Sequence, residues 1–594
     1  MMKQFLTLLI TTIAFAGAIS AQTRFRPSEK DYKNADKLLK TMSLDEKIGQ
    51  MVHIGINAEF MNQDSYEFKR LQSQVADLKI GGIVVFAGGV YETTHLLNRM
   101  QATAKYPLLI SSDFETGVGM RFSETVNFPW NMAVGATGNP EYARRIGEIT
   151  AREARALGIQ QVFAPVVDVN NNSDNPVINV RSFGEDPKAV GEFGSAFSEG
   201  LQSANILATA KHFPGHGDTA VDSHRGLPVI NLSRSRLETV EFAPFRDTIR
   251  NGVGSVMISH ISMPQLDPEK VQPLKTSVTP EYTESEVITD GTTVPATMSK
   301  PIVTGILKDE MGFDGLIVTD AMDMSGLTLY FNYEEAGARA VIAGNDVLLK
   351  TSRPEATING IRKAVAEGRI TEERINESAR KIVAWKYKLG LFKNRITPLD
   401  RIDQIVSNKE TRDLSNQVAE KAITLVESDG ATLPLKSGTS VALICVTNSR
   451  DIDFVGRFFA GALSRRGLKV NRIALDDRST PEEIQSAIDA AHKADVTVAG
   501  LFGRVRSGAK NSVGIPDAGA KVLDTILAEE KPVISVAFGN PYLILNFPTM
   551  KNYIVAYGDM YSLQEATANK ITGGSNFTGK LPITIGKYPR GTGL

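Results

Sequence analysis

The 594-residue chain is 42% hydrophobic and 22% charged, which is an ordinary globular composition with length enough for two or more buried cores, and this excludes a disordered or fibrous class. A formal net charge of -1 gives no overall field to gather nucleic acid or an anionic membrane surface. The single cysteine, Cys445, lies in an apolar run and reads as a packing residue, so no intramolecular disulfide can form.

Residues 1–21 carry Lys3, an apolar run from Phe5 to Ile19 and small residues at Ala18, Ser20 and Ala21, the layout of a secretory signal peptide. No later run reaches the roughly 18 apolar residues that a membrane span needs. Export to a periplasmic or extracellular location is therefore expected. Ser43 with Glu46 forms a capping-box pattern ahead of an amphipathic segment. Short apolar runs then recur at 50–55, 82–86, 107–111, 161–166, 206–211, 255–259, 315–319 and 346–349. Helix-compatible segments, among them 140–158, 187–204, 236–251 and 300–311, separate most of them. Eight strands alternating with helices predict an α/β fold whose N-terminal part, 22–390, closes into a (β/α)8 TIM-like barrel. Residues 391–413 read as a linker. Over 414–594, apolar runs at 440–446, 468–473, 495–501, 532–538 and 553–557 predict a C-terminal doubly wound α/β/α sandwich of five strands. Its first strand is not followed by Gly-x-Gly-x-x-Gly, so a dinucleotide site is not supported.

Polar residues follow several of the barrel runs: Asp113, Asp168, Lys211 with His212, His260 and Asp320. In a barrel these positions converge on one mouth, where they carry either chemistry or hydrogen bonds to loop backbone. The densest stretch is Lys211–His224, with a lysine, three histidines and two aspartates around Gly215 and Gly217. Asp320, at the end of an apolar strand, is suited to attack an acetal carbon and form a covalent intermediate; capping the next helix is the other reading. His224 is suited to donate a proton to the leaving oxygen, with Asp222 accepting from its other ring nitrogen. A Gly215–Gly217 hinge would carry His224 over the substrate. The same histidines also admit a metal site, although their spacings of four and eight match neither a helix face nor a zinc ribbon.

The strings KHFPGHGDTAVDSH (211–224), GLIVTDAMDM (315–324) and VINVRSFGEDP (177–187) resemble glycoside hydrolase family 3, in its β-N-acetylglucosaminidase branch. The resemblance spans nearly the whole mature chain. It implies Asp320 as nucleophile and His224 as acid/base, modulated by Asp222. It further implies Asp113, Arg121, Arg181, Lys211 and His212 as sugar-binding residues, and His216 as loop support outside the site. The implied protein is a secreted, retaining exo-β-N-acetylglucosaminidase acting on peptidoglycan- or chitin-derived saccharides, with no metal or organic cofactor. A β-glucosidase, a phosphorylase of the same family and a catalytically lost wall-binding protein are the alternatives.

This chain departs from the pattern at Asp113-Phe-Glu-Thr-Gly-Val, where many relatives have Asp-Gln-Glu-Gly-Gly-Arg. It also carries a polar insert over 265–295 that could narrow the mouth. The loop Gly503–Ser507 either joins the mouth or leaves the C-terminal domain to pack alone, and packing alone is the expectation.

Overall fold

The computed structural model describes residues 25–274, 292–506, 508–509 and 512–594. The expected signal peptide lies outside the described residues, as does most of the 265–295 insert. Among the described residues, no helix is long and apolar enough to cross a membrane.

Eight parallel strands close on themselves: β1 (Val52–Ala58), β2 (Gly82–Gly88), β3 (Leu109–Ser112), β4 (Gln161–Val162), β5 (Leu207–Phe213), β6 (Ser255–Ile258), β7 (Leu316–Ala321) and β8 (Val347–Leu349). β8 returns to β1 through the pairing of Leu348 with Val52. The strands read as continuous apolar runs because a barrel strand is covered on both faces, by the packed interior and by the outer helices.

Local chemistry sets the helix starts. Ser43 and Glu46 form the expected capping box. Asn139 and Asp186 cap the helices Pro140–Ala156 and Pro187–Ser203, each with a proline in the first turn, where its missing N–H costs nothing. The single helix expected over 236–251 is two, Arg234–Thr239 and Ala243–Arg250. Pro244 excludes a continuous helix, since its ring would meet the carbonyl of Val240. In Pro301–Glu310 the turns are wide, and Met311 N–H reaches back five residues to Ile306 O.

The segment expected as a linker ends inside a helix, Lys409–Ala422, capped by Asn408. Thr411 Oγ1 of that helix donates to Glu153 of the barrel's outer layer at 2.7 Å. The second domain holds β9 (Thr424–Glu427), β10 (Ser440–Thr447), β11 (Lys469–Leu475), β12 (Val496–Phe502), β13 (Val533–Ala537) and β14 (Tyr553–Val555) in the order β11-β10-β12-β13-β14-β9. The sheet therefore has six strands where five were expected. The extra one, β9, pairs antiparallel at the edge next to β14. It follows a helix directly, and four residues leave little periodicity to read.

At the closed end of the barrel, Asp346 acts as a strut. Fully buried, it accepts from Ile317 N–H at 3.1 Å and from Ser378 Oγ at 2.6 Å, with Lys381 Nζ at 3.4 Å. Burial pushes its carboxyl upward, but the charges of Lys381, Arg374 and Lys308 and the Ser378 bond outweigh this and hold it below its usual value. A depressed carboxyl stabilises the fold above its unfolded pKa of about 3.9 and loses that contribution as the pH falls through the folded value. Asp346→Asn should therefore lower stability by a constant amount between pH 7 and 5, and the gap to the parent should narrow below about pH 4. Urea unfolding across that range measures it.

Candidate active site

The strand ends on one face of the barrel surround a cavity of about 370 Å³, at the small end of ligand pockets. Val84, Phe163, Met257 and Leu349 line it with Phe86 and Trp130, and its polar lining includes Asp113, Arg121, Arg181, Lys211, His212, His224 and Asp320. Every site residue expected from the sequence except Asp222 lines this one cavity, and Asp222 stands directly behind His224.

The deepest polar feature is a network of charges. Lys211 Nζ lies 2.8 Å from Asp113 Oδ1 and 2.7 Å from Glu115 Oε1. Arg121 donates to Asp113 Oδ2 at 2.6 Å. Arg181 clasps Glu115 with two bonds, Nε at 2.9 Å and Nη2 at 2.7 Å. Burial opposes ionisation of both carboxyls, but the facing cations prevail, holding Asp113 at about 2 and Glu115 well below the carboxylate range. Burial likewise opposes the charge on Lys211 and Arg181, and the carboxylates reverse it, so both are held above their usual values. The network is ionised at any ordinary pH. Glu115 was not assigned from the sequence. Its place two residues after Asp113 is the signal that could have found it.

Asp168 organises the next layer. Its carboxylate sits 2.7 Å from His212 Nδ1 and accepts the backbone N–H of His216 at 2.7 Å. With Nδ1 donating to Asp168, His212 turns Nε2 toward Arg181 Nη2, 3.4 Å away. His216 Nε2 meets Ser223 Oγ at 3.1 Å, and burial brings its pKa down to about 4. His260 bonds Thr297 Oγ1 and the carbonyl of Ala321, bracing the end of β7. Of the strand-end polar residues, Asp168 and His260 thus serve their neighbours, whereas Asp113, Lys211, His212 and Asp320 line the cavity.

Asp320 Oδ1 accepts the N–H of Ala321 at 2.7 Å. Burial raises its carboxyl pKa, but His212, His260, His224 and that N–H bring it below the usual range, so Asp320 is a carboxylate facing the cavity. Asp323 pairs with Lys350 Nζ at 3.0 Å instead of capping the following helix. On the same cavity, His224 Nδ1 lies 2.9 Å from Asp222 Oδ1, which also accepts the His224 backbone N–H at 2.8 Å. Burial raises Asp222, and the bonds from His224 and Gly508 overcome it, leaving the group below its usual value. With Nδ1–H committed to Asp222, Nε2 is the ring nitrogen left without that partner on a side chain that lines the cavity.

Two loop expectations are corrected. Gly215–Gly217 is a clamp rather than a hinge. A Cβ on Gly217 would fall 1.8 Å from Val169 O, and Asn175 Nδ2 donates to the carbonyls of His216 and Gly217 at 2.9 and 2.8 Å. Nor does the C-terminal domain only pack. Val505 lines the cavity, and Gly508 N–H donates to Asp222 Oδ2 at 2.5 Å. Among the described residues, no cluster of His, Cys, Asp and Glu has the grouping to hold a metal ion.

A parallel barrel whose mouth sets a strand-end carboxylate opposite a His–Asp pair, above a floor of paired charges, has the parts of a glycoside hydrolase, and comparison with known proteins agrees. The chain belongs to glycosyl hydrolase family 3. The model of that family's N-terminal domain matches residues 43–384, and the model of its C-terminal domain matches 356–592. A Beta-N-acetylglucosaminidase/beta-glucosidase of Cellulomonas fimi is 27% identical over 92% of this chain and 94% of its own. The structure of a family 3 beta-N-acetylglucosaminidase from Paenibacillus sp. str. FPU-7 superposes with a TM-score of 0.80 at 31% identity, covering 92% of this chain and 99% of that one. A beta-glucoside phosphorylase, BglX, bound to 2FGlc gives 0.82 at 26% identity, covering 94% and 97%.

Removing one partner of a buried ion pair leaves an uncompensated charge, at a cost of about 3 kcal/mol. Glu115→Gln should therefore destabilise the protein by that order in denaturant unfolding. It should also raise KM more than it lowers kcat, because Arg181 and Lys211 lose the anchor that aims them.

Proposed function

We propose that the protein is a retaining exo-β-N-acetylglucosaminidase that releases terminal β-linked N-acetylglucosamine from peptidoglycan- or chitin-derived saccharides. The observation that carries this reading is the Asp222–His224 pair at 2.9 Å on the cavity rim, with Asp320 ionised on the strand end. The small cavity suits a chain end, and the Cellulomonas and Paenibacillus relatives support the choice of sugar.

In the first step Asp320 attacks the anomeric carbon as the glycosidic C–O bond breaks, and imidazolium His224 delivers its Nε2 proton to the departing oxygen. A glycosyl ester on Asp320 results. Neutral His224 then takes a proton from water, the water oxygen attacks the anomeric carbon, and Asp320 leaves as carboxylate. Asp222 stays ionised throughout and stabilises the imidazolium. Asp113, Arg121, Arg181, Lys211 and His212 bind the sugar hydroxyls. The signal-peptide layout of residues 1–21 supports export, and N-terminal sequencing of the mature protein tests it.

A second reading, phosphorolysis, draws on the likeness to the phosphorylase and on a His acid/base that repels phosphate less than a carboxylate would. Turnover of aryl β-N-acetylglucosaminide and β-glucoside, each with and without inorganic phosphate, separates the readings. Hydrolysis of the glucosaminide unaffected by phosphate supports the proposal, while sugar 1-phosphate as the main product overturns it. Asp320→Asn should cut turnover roughly 10³-fold or more. His224→Ala should cost about 10²- to 10⁴-fold on a poor leaving group while leaving inhibitor affinity largely intact. Full turnover by Asp320→Asn would remove the nucleophile assignment.

A further inference from the structure

The C-terminal domain touches the acid/base pair at one point. Asp222 is buried and presents two oxygens. Oδ1 takes both the ring and backbone nitrogens of His224, and Oδ2 takes the backbone N–H of Gly508. The loop that brings Gly508 there is tied down on both sides. Upstream, Arg504 forks between Asp451 and Asp559, each at 2.7 Å, and Asn448 Nδ2 holds the Arg504 carbonyl at 2.8 Å. Downstream, Ser512 Oγ donates to Pro176 O of the barrel domain at 2.9 Å, and Asn540 Nδ2 donates to Val513 O at 3.0 Å. Gly508 itself has φ +80, and a Cβ added there would lie 3.7 Å from His224 Cβ, so its backbone passes directly over the pair.

A carboxylate with one free oxygen can rotate and offer either oxygen to its histidine. A charge-assisted N–H on Oδ2 removes that freedom. We propose that Gly508, presented by the C-terminal domain, is a positioning residue for proton transfer: its N–H fixes the Asp222 carboxylate so that Oδ1 holds Nδ1 and Nε2 meets the leaving oxygen. Gly508 exchanges no proton and touches no substrate. The inference rests on the reading of Asp222 and His224 as the acid/base pair, and it gives the second domain a part in the chemistry through backbone alone.

The experiment compares two β-N-acetylglucosaminides, an alkyl one whose leaving group needs a proton and a 2,4-dinitrophenyl one whose leaving group does not. For both, kcat/KM reports bond cleavage to the glycosyl enzyme. Gly508→Pro removes the N–H and, because proline holds φ at about −65° where Gly508 has +80, also moves this backbone off Asp222. It should lower kcat/KM on the alkyl substrate roughly 10- to 100-fold and leave the dinitrophenyl substrate within about twofold. Gly508→Ala keeps the N–H but is strained at φ +80, so it should shift the ratio of the two substrates in the same direction by less than Gly508→Pro. Arg504→Gln loosens the anchor without altering Gly508 and should shift the ratio of the two substrates in the same direction by less. Thermal unfolding of each variant monitors folding. Equal losses on both substrates in Gly508→Pro and Arg504→Gln, or no loss in Gly508→Pro, overturn the inference. His224→Ala separates the two levels. If it discriminates between the substrates and Gly508→Pro does not, only the positioning role fails; if it too fails to discriminate, the acid/base reading falls with it.

Discussion

Lys211 sits between Asp113 and Glu115 in the mouth of the barrel, and this buried charge network is the constraint on which the rest of the site depends. Taking such ions out of water costs several kcal/mol each, which only close pairing recovers. The pairing draws together chain from three places: the loop after β3, the segment around Arg181 and the end of β5. Once paired, the ions present to the cavity donors and acceptors that are already aimed.

Above that floor Asp320 and His224 are held in different ways. Asp320 belongs to a strand end, with its oxygen on a backbone N–H and with His260 bracing the next carbonyl. A carboxylate on such an element is held in one position. His224 lies on a loop at the rim, its side chain 40% exposed, while its partner Asp222 is 5% exposed. The imidazole is thus open to solvent at the rim, and the buried carboxylate behind it keeps the ring oriented. The second domain closes over this side with Val505 and Gly508.

Much of this could be read from the sequence, for identifiable reasons. Barrel strands are mainly apolar, so the eight runs could be counted, and Asp113, Lys211, His212 and Asp320 stood at or near strand ends. The Asp222–His224 contact needed only a two-residue spacing. Other features depend on residues far apart. The clasp of Glu115 on Arg181 spans 66 residues and the Gly508 bond to Asp222 spans 286. Gly217 looked like a hinge because glycine permits motion; in the fold it is glycine because Val169 leaves no room for a side chain. β9 escaped notice because a short edge strand has little pattern of its own.

The sequence by itself determined the periodic elements, the barrel and sandwich, and the chemical types gathered at the mouth, because hydrophobic pattern and short-range spacing are properties of neighbouring residues. Tertiary structure alone decided which charges pair, which strand-end residues face the cavity and which brace their neighbours, and that the second domain reaches the Asp222–His224 pair. Those outcomes are set by burial, and burial brings together residues that the chain keeps hundreds of positions apart.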